Sequence, residues 1–169
     1  MALDATVGGV SANSYISVAD ADAYFASTFK ASVWDAATDE SKIASLILAT
    51  RLLDNNVNYY GDVAADTQAL RWPRTSTFDK DGVEYSDTAI PREFQNIVCD
   101  LAISLIENGG YTGSSNQFKQ LNIGSLAFKY KDSGDGPFPP NVVEAIDQFG
   151  EYEGPSSGRQ VSTARLVRS

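Results

Sequence analysis

Two long stretches of the chain place apolar residues at helical spacing. From Asp39 onward, Ile43, Leu46, Ile47, Thr50 and Leu53 follow the i, i+3, i+4, i+7 pattern of one helix face. Asp39 and Glu40 stand at its amino end and Arg51 near the other, the charge order that the helix dipole favours. A second run presents Phe94, Ile97, Val98, Leu101, Ala102, Leu105 and Ile106, while Cys99 and Ile103 widen the apolar arc beyond a single stripe. Ile90-Pro91 opens this helix, since proline suits a first helical position, and Asn108-Gly109-Gly110 ends it. A helix this apolar is central, or shared with another subunit.

Shorter signals fill the intervals. Ser17-Val18-Ala19-Asp20 has the form of a helix cap, predicting a first helix to about Phe29. Residues 55–66 are rich in Asn, Gly and Asp and read as a loop, followed by at most a short turn into Trp72-Pro73, with Trp72 plugging the core. Thr77 to Asp87, with Asp81-Gly82 between β-favouring flanks, predicts a small hairpin-like surface excursion. Residues 120–131 alternate apolar and polar around Gly124-Ser125, the pattern of a β-hairpin. After Pro139-Pro140, Val142, Val143, Ile146 and Phe149 mark a short helix that Gly150 closes or follows. The expected fold is mainly α: a small helical bundle with one β-hairpin insertion and extended N- and C-terminal arms. Residues 1–13 form the first arm, 14–150 the helical body with its hairpin near 120–131, and 151–169 a basic tail.

The charge is acidic and uneven. Thirteen Lys and Arg face 22 Asp and Glu, a formal charge of −9, so non-specific nucleic-acid binding is disfavoured at long range. The tail runs against this trend, with Arg159, Arg165 and Arg168 and no acid in its last eleven residues. Such a segment is either a docking element for an acidic partner or a disordered terminus. Arg159, Arg165, Leu166 and Arg168 are the candidate partner-binding residues, with Lys129 and Lys131 of the hairpin as a second patch. A single cysteine fits a reducing compartment, and no signal peptide or membrane-length apolar run is evident, so a soluble, unprocessed chain is expected.

Chemistry is scarce. The chain has no histidine, which removes the commonest general base and every His-containing metal site. Cys99 in the apolar helix reads as a structural thiol. Aligning Asp79-Lys80-Asp81-Gly82 with a calcium loop puts Thr77 and Thr88 where acids are required, so an EF-hand is rejected. Asp20 with Asp22, and Asp132 with Asp135, read as solvated surface acids. The glycine pairs lack phosphate-loop context, and Tyr15, Tyr24, Phe25 and Phe94 read as core. No enzyme activity and no cofactor is implied.

Ser14-Tyr15-Ile16-Ser17 with Ala19 to Phe25, Lys42 with Ala49 to Asp54, Gln68-Ala69-Leu70-Arg71-Trp72-Pro73-Arg74, and Ile90-Pro91 follow one another along the chain. This order of motifs resembles a family of tailed-phage head-to-tail adaptors, also labelled DnaT-like single-stranded-DNA-binding proteins. The resemblance spans about Ser14 to Ile106. As an adaptor it implies a structural virion protein: a homo-oligomeric ring, commonly of twelve copies, between the portal protein and a stopper or tail-completion protein. That role places it at the head–tail interface of the virion, and in the host cytoplasm during assembly. DNA would pass through the ring without specific binding, and no membrane is involved. The alternative is a single-stranded-DNA-binding replication accessory protein, which −9 charge and the lack of a basic stripe disfavour.

Overall fold

The computed structural model describes residues 2–109, 121–123, 126–128 and 137–152. Helices α1 (Val18–Phe25), α2 (Ala31–Ala36), α3 (Asp39–Asn56), α4 (Arg92–Glu107) and α5 (Pro140–Ile146) carry the fold. The mainly α expectation holds. At its centre α3 packs along α4. The Thr38 side chain caps α3 by accepting from the Ser41 amide at 3.2 Å. Residues 44–50 are buried without a break, so α3 is enclosed on every side and exceeds the single face that its spacing predicts. Pro91 stands one position ahead of α4 with ψ 138°, an extended N-cap, instead of at the first helical position.

The breadth of the α4 apolar arc has an explanation within the chain. Cys99 and Ile103 are buried along with the main stripe, because α4 touches α1, α2, α3 and α5. No neighbouring copy is needed to cover it.

The first helix is shorter than predicted. Ser17 caps α1 as expected, accepting from the Asp20 amide at 3.1 Å, but α1 stops at Phe25. The Ser27 and Thr28 hydroxyls bond back to the Tyr24 and Phe25 carbonyls, a local alternative to further helical bonds. The six-residue α2 then seats Trp34 against Phe25, rings stacked at 4.4 Å. The indole N–H donates to Asp22 Oδ1 at 2.6 Å, and Lys42 reaches the same oxygen at 3.2 Å. Asp22 is exposed, as expected of a solvated acid, and also serves as a structural acceptor whose pKa is lowered chiefly by the Trp34 hydrogen bond.

Strands appear where a loop was expected. Asn55 and Asn56 finish α3, and Val57–Tyr59 forms β1; β2 (Asp62–Val63) pairs antiparallel with β3 (Arg74–Thr75). The hairpin is present as β4 (Leu121–Ile123) and β5 (Leu126–Phe128), paired Leu121 to Phe128 and Ile123 to Leu126. Gly150, expected to close α5 or to follow it, lies beyond the end of α5 at Ile146 and begins β6 (Gly150–Tyr152), which pairs antiparallel with β1. Glu151 and Tyr152, assigned by composition to the tail, therefore lie in the body. The 77–87 excursion is held by a Phe78–Glu84 bridge.

The segment before Ser14 is strapped to the body. Asn13 Oδ1 accepts from the Asp4 amide at 2.8 Å, the Asp4 carbonyl accepts from the amides of Asn13 and Ser14, and Gly9 accepts from Ala69 at 3.0 Å. Among the described residues no helix is long and apolar enough to cross a membrane.

The β1–β6 pairing joins distant parts of the chain through a close approach of backbone. A Cβ on Gly150 would lie 2.6 Å from the Asn58 carbonyl oxygen and 2.8 Å from Tyr59 Cα. Main chain cannot swing aside as a side chain can. Gly150→Ala is expected to destabilise the fold by about 1–3 kcal/mol, read from the shift in urea midpoint at unchanged slope.

Candidate functional site

Gln68 to Arg74 is the most distinctive stretch of sequence, and it is built into the interior. The Trp72-Pro73 peptide is cis. Trp72 is 1% exposed; its ring stacks on Phe94 at 5.2 Å and meets Tyr59, Tyr85 and Phe149 edge-on. Ahead of it, the Tyr15 hydroxyl donates to Asp54 Oδ1 at 2.5 Å and accepts from the amides of Arg71 and Trp72. Asp54 Oδ2 also accepts from the Arg71 amide, and Tyr59 donates to Oδ1 at 3.3 Å. The Arg74 guanidinium donates to the carbonyls of Tyr60, Arg71 and Gly61. These bonds turn the polar atoms of Tyr15, Asp54 and Arg74 onto backbone and onto one another. The motif is scaffold, as its rigid Trp-Pro joint predicts.

Electrostatics agree with a structural role. Burial raises the Asp54 pKa, with the hydrogen bonds from Tyr15, Arg71 and Tyr59 working against it. Burial, together with the Asp54 charge, raises Tyr15 and Tyr59 well above the usual phenol value. The Cys99 thiol is pushed up to about 12, mainly by burial, so it is not a nucleophile near neutral pH. Among the described residues no three His, Cys, Asp or Glu side chains gather as a metal cluster.

The predicted contact residues Arg159, Arg165, Leu166, Arg168, Lys129 and Lys131 lie outside the described residues. The structure brings the paired hairpin backbone up to Phe128, the residue before Lys129. Along the sequence the charges are segregated in a way that whole-chain net charge hides. Between Glu107 and Asp132 there is no acid at all. That stretch holds Lys119, Lys129 and Lys131 among Tyr111, Phe118, Phe128 and Tyr130. Sequence reasoning marked Lys129 and Lys131 but missed this acid-free window; a running count of acids along the chain would have found it.

Two measurements test the Tyr15–Asp54 cluster. Tyr15→Phe leaves the Trp72 amide without its acceptor and the Arg71 amide with Asp54 alone, and is expected to cost about 1–3 kcal/mol in denaturant unfolding. The raised Asp54 pKa means that the folded state holds this proton more tightly than the unfolded chain. Its contribution is therefore fullest below the unfolded value near 3.8 and is lost as pH rises through the higher folded pKa. Unfolding curves across that window should show this decline in wild type, with a smaller decline in Asp54→Asn.

Neither the curated proteins nor the solved structures include a match to this chain. A protein-family model does match, over residues 1–169, with the description Putative DnaT-like ssDNA binding protein. The match corrects the adaptor reading and all that came with it: a twelve-copy ring, contacts with a portal and a stopper, head completion, and DNA passing without specific binding. It favours the alternative instead. The physical grounds of the adaptor reading also weaken, because the α4 arc is covered within the chain and the acidity averages over a segregated charge distribution. The chain belongs to the DnaT-like ssDNA-binding-protein family.

Proposed function

We propose that this protein binds single-stranded DNA through the acid-free stretch around its hairpin, assisted by the basic tail, and acts by binding without turnover. The observation that carries the reading is the coincidence of three lysines and four aromatic residues in a window without a single acid, in a chain otherwise rich in acids. Single strands are held by cations that follow the backbone and by aromatic rings on which unpaired bases stack. Lys119, Lys129 and Lys131 beside Phe118, Phe128 and Tyr130 supply both residue types. The whole-chain family match supports the same reading.

Acidity shapes the binding that follows. Phosphates approaching the body meet repulsion, so affinity rests on few cations and on stacking, and the salt dependence stays shallow. Duplex DNA, with its bases paired and stacked inside, gains nothing from the rings and is expected to bind more weakly than a single strand of equal length.

Fluorescence anisotropy with a labelled oligo(dT), titrated at several salt concentrations, tests the reading. Saturable binding is expected, and Lys129→Ala/Lys131→Ala should reduce the slope of log K against log salt by about 1.4, or about 0.7 for each phosphate deprived of its lysine. Absence of binding to single strands at low salt would overturn it.

A further inference from the structure

An open groove of about 330 Å³ runs between α1 and α4, lined by Ile16, Asp20, Ala23, Tyr24, Ser27, Arg92, Gln95 and Asn96. Its volume is at the low end of the roughly 300–1,000 Å³ of small-ligand sites, enough for one nucleotide-sized unit. The walls differ in chemistry. Arg92 is exposed and makes no ion pair or hydrogen bond among the described residues. Asn96, one turn along α4, likewise has both ends of its carboxamide unpaired among the described residues. Gln95 spends its amide N–H on the Tyr15 carbonyl at 3.2 Å, which fixes the side chain and leaves its oxygen as an acceptor. Across the groove, the Tyr24 hydroxyl donates to Asp100 Oδ1 at 2.8 Å, so the ring is anchored at its tip.

We propose that this groove is a nucleotide-sized subsite for single-stranded nucleic acid, with Arg92 on a backbone phosphate and the carboxamides of Asn96 and Gln95 at the edge of a base beside Tyr24. The inference rests on the single-strand-binding reading and extends it from the hairpin to the helical body. A free guanidinium matches phosphate, a carboxamide matches the paired donor and acceptor on a base edge, and an anchored ring offers a face at little entropic cost. Asp20 lines the same groove, and its carboxylate accepts from the Ser17 hydroxyl at 2.6 Å.

The test is anisotropy with labelled oligo(dT) and oligo(dA), comparing wild type, Arg92→Ala, Arg92→Lys and Asn96→Ala, with thermal melts to show that each variant is folded. Arg92→Ala should weaken binding about five- to tenfold and take about 0.7 from the salt slope, and Arg92→Lys should restore the slope. Asn96→Ala should weaken binding with the slope unchanged, because it removes no charge. Ultraviolet cross-linking of oligo(dT) to the wild type, read by mass spectrometry, should mark a peptide of α1 or the first turns of α4. If wild type binds while these variants match it and no such peptide is marked, the subsite is wrong and the hairpin reading stands. If wild type fails to bind any single strand, that reading falls and the subsite falls with it.

Discussion

Burial of Trp72 is the constraint on which the rest of the structure depends. Its indole lies between Phe94 of α4, Tyr59 of β1, Tyr85 of the surface excursion and Phe149 at the β6 junction. A side chain of this size yields several kcal/mol only if every neighbour closes on it, so one residue ties four separate segments together. The backbone entering it must also be satisfied where water cannot reach. Tyr15 and Asp54 do this for the Arg71 and Trp72 amides, and they link the start of the body, the end of α3 and the Trp-Pro segment.

That arrangement explains why the most distinctive motif is silent in chemistry. Arg74, often a residue of anion recognition, is buried and has each of its three nitrogens donating to a backbone carbonyl. Tyr15 is buried and Asp54 and Tyr59 half-buried, with their polar atoms turned onto one another and onto the Arg71 and Trp72 amides. The binding proposed for the chain therefore falls to groups the core does not need: Arg92, without an ion pair among the described residues, and the basic segments that the sequence keeps free of acids.

The charge distribution reconciles an acidic protein with the single-strand binding proposed for it. Net charge measures long-range repulsion and says little about contact over a few ångströms, where screening at physiological salt leaves local groups in control. A body rich in acids also restrains indiscriminate adhesion to duplex DNA. On the proposed reading, selectivity for unpaired bases comes from stacking and from contacts to Watson–Crick edges, both of which pairing in a duplex hides.

The sequence by itself determined where α1, α3, α4 and α5 lie, because their signals are local. The Ser17 cap, the acids opening α3 and the glycine ending α4 act over three or four residues, and the apolar spacing of α3 and α4 repeats often enough to be read. The hairpin was legible for the same reason, its two strands lying either side of a two-residue turn. Tertiary structure alone decided the pairing of β1 with β6, since strands of three residues separated by some ninety positions leave no periodic trace. It decided that α2 exists, through the stacking of Trp34 on Phe25 and the hydrogen bond to Asp22, neither of which has a local pattern. It also decided that the broad arc of α4 is filled by its own chain: apolar breadth is written in the sequence, but what covers it depends on how four other helices arrive.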